Sequence, residues 1–251
     1  MTIRTLLATS ALLASLALPA QAFDPAAMTD TDKAAFGDAV RAYLMENPEV
    51  LMEAIAVLEQ RQQEAEAAND LELLATNADE ILNDPSSWVG GNPAGDITVV
   101  EFVDYRCGYC RKAHDEVAEL VGSDGNIRLV MKEYPILGEE SVVSSRFAIA
   151  TRLVAGDEAY KRAHDALIAL RGNATVETMG TLADELGLDR AAILAKMDTP
   201  EVAAIIEANH ALGSRMQING TPTFIIDKTM VRGYVPLDGM RQIVQGQRDA
   251  G

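Results

Sequence analysis

The sequence predicts an α/β domain interrupted by a helical insertion and preceded by a helical extension. Three observations lead to that reading. An apolar run, Ile97 to Tyr105, passes through a tight turn into Cys107-Gly108-Tyr109-Cys110 and a helical pattern carried by Val117, Leu120 and Val121, and a second strand-like run follows at Asn126 to Tyr134. From Glu140 to Gln217 the apolar period is helical almost throughout. The chain then returns to short strands, Thr223 to Asp227 and Met230 to Gly233, and ends in a helical pattern with Met240, Ile243 and Val244.

Taken in order, residues 1–22 read as a secretory signal peptide. Arg4 supplies the charged start, Leu6 to Leu18 the apolar stretch and Ala20-Gln21-Ala22 the small-residue site, with cleavage after Ala22. The stretch is too short for a comfortable membrane span, and no later run approaches the roughly 18 to 20 apolar residues a span needs. The mature chain is therefore expected in an oxidising exported compartment, most simply a bacterial periplasm. Loss of the signal takes away one arginine and no acid, so the formal charge of −17 becomes −18, with 20 basic against 38 acidic residues. That field disfavours nucleic acid and anionic lipid surfaces as partners.

Residues 23–84 form the expected extension. Phe36, Val40, Tyr43 and Leu44 recur at helical spacing behind Thr31 or Asp32 as N-cap, and Asn47-Pro48-Glu49 reads as cap and first turn of a second helix carrying Val50, Leu51, Ala54, Ile55 and Leu58. Glu59 to Glu64 is polar on every side. The apolar stripe has two possible covers, the rest of the same chain or its counterpart in another subunit. Turn formers from Pro85 to Asp96 mark the boundary, with Trp88, the only tryptophan, as a packing anchor.

The domain of residues 85–251 holds the chemistry. Strand, helix and strand around the cysteines make a right-handed βαβ unit with neighbouring parallel strands. A thiolate at Cys107, at the helix N-terminus, is stabilised by free backbone N–H groups and the positive end of the dipole. Cys110, one turn later and less exposed, is placed to resolve a mixed disulfide. A structural staple closing so short a loop adds little to a chain this long. A tetrahedral zinc site needs two more ligands, and His114, His164 and His210 show no ligand spacing with the cysteines or one another. No metal and no cofactor is expected beyond the redox pair Cys107-Cys110 itself.

Glu101 stands six residues before Cys107 in what should be a central strand, where a carboxylate is costly without a partner or a task. Lys132 and Glu133 on the neighbouring strand are the candidate partners, and a strand end reaching water is the plain alternative. The insertion, about residues 140–217, is expected to hold helices with Thr175, Asp189 and Thr199 at their starts and no chemistry of its own. Pro222 cannot donate to a sheet ladder, so it belongs at a strand start, where a cis bond is a common geometry. A turn at Lys228-Thr229 closes the hairpin.

With these pieces in register, the chain resembles the thioredoxin-fold family, and within it the DsbA-like periplasmic thiol-disulfide oxidoreductases that carry a helical insertion. The resemblance rests on Cys107-Gly108-Tyr109-Cys110 after an apolar strand, the long insertion, and Gly220-Thr221-Pro222-Thr223-Phe224 before a hairpin and terminal helix. It is nearest to the ScsC-type subgroup, named for suppression of copper sensitivity, through Asn92-Pro93 to Asp96, Val99 to Tyr105 and Tyr134-Pro135-Ile136-Leu137-Gly138.

The resemblance implies Cys107 as nucleophile, Cys110 as resolving cysteine and Gly108-Tyr109 as the dipeptide that tunes them. It further implies Pro222 as a cis-proline facing the sulfurs and Thr221 holding substrate chain through its backbone. Glu101 matches the buried acid that relays a proton to the resolving cysteine. A Gly-Tyr dipeptide with threonine before the proline is the isomerase pairing, which departs from the Pro-His oxidases. Some members of the subgroup are oligomeric through an N-terminal helical extension, and residues 23–84 look similar. The expected activity is disulfide isomerisation or reduction in exported proteins, sustained by a membrane redox partner of unspecified identity. A DsbA-like oxidase is the rival reading, and a Cu(I)-binding copper-tolerance protein using both thiols is the reading from another class.

Overall fold

A computed structural model describes residues 28–250; the expected signal peptide and the expected cleavage after Ala22 lie outside them. The chain divides into two compact units after Arg61. The first holds α1 (Asp30–Glu46) and the start of α2 (Glu49–Thr76). Thr29, not Thr31 or Asp32, caps α1: its hydroxyl accepts from the Asp32 N–H while the Asp32 carboxylate accepts from the Thr29 N–H, a reciprocal box. Asn47 serves α1 rather than α2, since its side-chain amide donates back to the Tyr43 carbonyl. The polar stretch from Glu59 continues α2 without interruption.

The unit boundary falls at Arg61 and not at residue 84 because the rest of α2 and α3 (Ala78–Leu82) carry core residues. Leu74 and Ile81 pack with Val100, Phe102, Val130 and Ile225. Asp70 joins them from the side, accepting two hydrogen bonds from Arg232 at 2.7 and 2.8 Å. Asp70→Ala is expected to lower unfolding free energy by about 1.5–3 kcal/mol, the usual value of hydrogen bonds to charged groups; an unchanged urea midpoint would refute that role.

Among the described residues five strands make one sheet in the order β1-β3-β2-β4-β5. They are β1 (Trp88–Gly91), β2 (Ile97–Val103), β3 (Ile127–Glu133), β4 (Thr223–Ile226) and β5 (Thr229–Arg232). β2 and β3 run parallel, joined by α4 (Gly108–Asp124), and the other pairings are antiparallel. β1 falls where the sequence reads only as a boundary: its two glycines mask a strand whose Trp88 is buried, stacks on Tyr160 and donates to the Asp157 carbonyl. The hairpin turn is Asp227-Lys228, with Thr229 already in β5.

β2 is central and its two faces bury different sets. Val99, Glu101 and Val103 point with Leu129, Met131 and Glu133 toward α4 and the insertion, whereas Val100 and Phe102 face Leu74, Ile81, Leu212 and Met216. The insertion comprises α5 (Glu139–Ala155), α6 (Asp157–Ala169), α7 (Val176–Glu185), α8 (Arg190–Met197) and α9 (Pro200–Arg215). Thr175 and Asp189 cap α7 and α8 as the sequence suggests. Thr199 precedes α9 with Pro200 in its first turn and makes no side-chain cap bond. The C-terminal α10 (Leu237–Ala250) covers β2 and β4 with Met240 and Val244. Among the described residues no helix is long and apolar enough to cross a membrane.

Candidate active site

Cys107 is the N-cap of α4 and Cys110 lies in its first turn. The Cys107 backbone is extended, φ −74° and ψ 120°, and its side chain makes no capping hydrogen bond to the helix. Both cysteines are free thiols. In its protonated form Cys107 donates through Sγ to the Thr221 carbonyl at 3.1 Å, and the Thr221–Pro222 peptide bond is cis. The loop before β4 thus lies against the Cys107 sulfur, with the edge of the Thr221 backbone beside it.

The two thiols differ sharply in acidity. A hydrogen bond from Cys110 pulls Cys107 from 9.0 down to about 5; burial opposes this, while the Thr221 side chain and the N–H groups of Cys110 and Tyr109 add to it. The Thr221 hydroxyl is buried and has no hydrogen-bond partner among the described residues, which leaves its proton available to the Cys107 thiolate. Cys110 moves the other way, pushed far up by its hydrogen bond to Cys107, by burial and by the Glu101 carboxylate. One sulfur is a thiolate at neutral pH and the other holds its proton.

Gly108 and Tyr109 complete the motif. A Cβ added at Gly108 would meet nothing within 4 Å, so packing does not demand glycine there. Tyr109 is exposed and stacks on Tyr234, whose hydroxyl donates to Glu116 at 2.7 Å. Together with exposed Ile136 and Leu137, it gives the described surface several large apolar side chains.

Glu101 is buried, only 4% exposed. Burial, with the Cys107 thiolate and Glu133 behind it, raises its carboxyl from 4.5 to about 8. Strand alternation decides which neighbour it meets. Lys132 points to the opposite face, where Nζ pairs with Asp84 at 2.6 Å and donates to the Glu80 carbonyl. Glu133 shares the face of Glu101 and raises its pKa; it is a like charge and not a counter-ion.

A buried polar network escaped the sequence. Tyr105 and Tyr160 both donate to Glu133 Oε1, at 2.7 and 2.6 Å, and Ser145 donates to Oε2 at 2.7 Å. Burial still lifts Glu133 from 4.5 to about 7 against these donors. His164 hydrogen-bonds the Tyr105 hydroxyl through Nδ1 at 3.0 Å, and burial, with His114 adding to it, pushes its imidazole down to about 3. Asp104, at the end of the buried β2 segment, accepts from the Ile136 and Leu137 N–H groups, the Arg106 N–H and Ser141, fixing the loop beside Cys107. An aspartate directly after a fully apolar strand end was the available signal for that clasp. His210 hydrogen-bonds the Pro135 carbonyl and lies outside this group.

The family model described as DSBA-like thioredoxin domain matches residues 98–245, and that of the copper resistance protein ScsC N-terminal domain matches residues 32–65. A thioredoxin-like oxidoreductase from Silicibacter pomeroyi DSS-3 is 42% identical, covering 69% of this chain and 98% of its own, with a TM-score of 0.65. Salmonella enterica Typhimurium BcfH is 28% identical over 86% of this chain and 95% of its own, with a TM-score of 0.71. Proteus mirabilis ScsC in a transitional conformation shares the fold at 23% identity, covering 91% of this chain and 100% of its own, with a TM-score of 0.65. The chain spans about a quarter of the length of the curated relatives it matches: Na(+)/H(+) antiporter NhaA 1 of Salinispora arenicola is 27% identical over 157 residues, 62% of this chain and 24% of the relative.

Proposed function

The chain belongs to the family of DSBA-like thioredoxin domains, and on that premise we propose that it is an exported disulfide isomerase or reductase acting through Cys107. The observation that carries thiol exchange through Cys107 is the pair of thiols at the start of α4: an acidified Cys107 against the Thr221 carbonyl, with a proton-bearing Cys110 behind it.

In the reaction, the Cys107 thiolate attacks one sulfur of a client disulfide. A Cys107–client bond forms, the client S–S bond breaks, and the second client sulfur leaves as thiolate. If a client thiolate then displaces Cys107, the disulfide has moved and no electrons are transferred overall. If Cys110 displaces it, the client leaves as a dithiol and Cys107–Cys110 becomes the disulfide. The second route requires Cys110 to lose its proton; in the mixed disulfide Cys107 carries no charge, so one cause of the raised Glu101 pKa is gone, and the ionised form of Glu101, on the face of β2 toward α4, takes that proton. Thr221 offers backbone edge to an extended client segment beside the sulfur.

An acidic Cys107 stabilises the dithiol relative to the disulfide and so strengthens the disulfide form as an oxidant; what favours the isomerase or reductase reading is Gly108-Tyr109 between the cysteines with Thr221 before Pro222, the pairing of isomerases in the resemblance. Scrambled-ribonuclease refolding against oxidation of reduced ribonuclease separates the readings. The proposal expects the first assay to be the faster at equal enzyme concentration; clear dominance of the second would leave the DsbA-like oxidase instead.

The assembly is a further part of the proposal. Val40, Tyr43 and Met45 on α1 and Leu51, Met52, Ile55 and Leu58 on α2 are exposed in the first unit, and a second copy of the same segment supplies an apolar cover. The match of residues 32–65 to the ScsC N-terminal family supports it. Removing residues 23–61, which spares Leu74 and Ile81, is expected to convert an oligomer to a monomer in light scattering; equal particle stoichiometry in both forms would count against it.

A further inference from the structure

His114 on α4 and His164 and Asp165 on α6 belong to distant parts of the sequence, and the fold brings them together. One donor atom from each lies within 4.8 Å of the other two. His114 Nε2 is 3.2 Å from Asp165 Oδ1, and the two imidazole centroids are 5.2 Å apart. A tetrahedral zinc ion with bonds of about 2.0–2.1 Å holds its donors roughly 3.3 Å apart. The His114–Asp165 pair already has that separation, and the third donor, from His164, lies within 4.8 Å of both.

The surroundings fit a ligand set. The Tyr105 hydroxyl donates to Glu133, so its oxygen is left to accept from Nδ1–H of His164. That tautomer keeps the Nε2 lone pair available, and the Glu133–Tyr105–His164 chain is the outer support that orients metal-binding imidazoles. His114 and His164 also line a cavity of about 200 Å³ together with Glu101, Trp88 and Met131. The cavity leaves room for a water or an exogenous ligand as fourth donor.

We propose that His114, His164 and Asp165 form a binding site for a divalent transition-metal ion of the zinc class, opening on the cavity that Glu101 lines. Two imidazoles and one carboxylate suit zinc(II) better than a soft monovalent ion, which would choose the thiolates. Three protein donors with an open position are the pattern of an exchangeable site rather than a closed structural one. Lys161 is the built-in competitor: its Nζ donates to both Asp165 oxygens at 2.6 Å. It is partly exposed and can release the carboxylate to water-borne metal. The site shares no residue with the cysteine motif, so it stands or falls separately from the direction of thiol exchange.

Equilibrium dialysis of the oxidised protein against zinc chloride tests the site, because bridged Cys107 and Cys110 supply no thiolate. One zinc per chain is expected. His114→Ala and Asp165→Asn, both changes at partly exposed positions, should each weaken binding by roughly tenfold or more with the far-UV circular dichroism unchanged. Lys161→Met should tighten it, and cobalt(II) in place of zinc should give d–d bands without a thiolate charge-transfer band. Failure to retain zinc, or retention that neither His114→Ala nor Asp165→Asn weakens, would overturn the proposal.

Discussion

Cys107→Ser is expected to abolish thiol exchange, whereas Cys110→Ser is expected to accumulate mixed disulfides with client proteins. The asymmetry follows from the acidity of the two sulfurs. Cys107 is drawn down to about 5 by the Cys110 hydrogen bond together with Thr221 and the N–H groups at the start of α4, so at neutral pH nearly all of it is thiolate. Cys110 is pushed far up by the same hydrogen bond, by burial and by Glu101, and serves only after its proton is taken. A serine at Cys107 leaves no nucleophile in reach of a client. A serine at Cys110 leaves the attacking sulfur and keeps a hydroxyl donor beside it. Its thiol should therefore stay acidic and form client adducts that Cys110 can no longer release. Non-reducing electrophoresis of each variant with a disulfide-bearing client reads the outcome: adducts with Cys107→Ser, or none with Cys110→Ser, would reverse the roles.

Glu101→Gln is expected to raise stability at alkaline pH and leave it nearly unchanged near pH 4.5. In the unfolded chain Glu101 ionises around 4.5, while in the folded protein it keeps its proton to about 8. The unfolded state thus binds fewer protons through that window, so folding stability falls as pH rises from about 4.5 and the loss is complete above about 8. The full shift corresponds to a penalty on the order of 3–5 kcal/mol for the charged form. Glutamine cannot ionise, so thermal melts of the variant should exceed the parent at pH 8.5 and match it at pH 4.5. Equal melting temperatures at pH 8.5 would show that the buried charge is not costly. The same variant should slow release of client mixed disulfides by Cys110, since glutamine cannot take the Cys110 proton.

The order of these elements was legible because each carries a local signal. The apolar run ending at Tyr105, the cysteine spacing, the cap residues Thr175 and Asp189 and the strand-starting Pro222 all act within a few residues of themselves. β1 was not legible, since Gly90 and Gly91 break the apolar alternation and its pairing with β3 is decided by distant residues. The partner of Glu101 depended on which strand face Lys132 and Glu133 occupy, which the parallel register fixes and composition does not. Glu133 with its tyrosines, and His114 with His164, are constellations assembled from several elements, so no spacing announces them. The boundary at Arg61 was hidden for a related reason: α2 is one continuous helix, and only the burial of its later turns separates extension from domain.

The pH dependence of Cys107 alkylation by iodoacetamide in the reduced protein tests the central claim most directly, with mass spectrometry assigning the modified cysteine. The account predicts a rate that rises with a midpoint near 5, with Cys110 unmodified across the same range. A midpoint near 9, the ordinary value for a thiol, or equal labelling of both cysteines would contradict it.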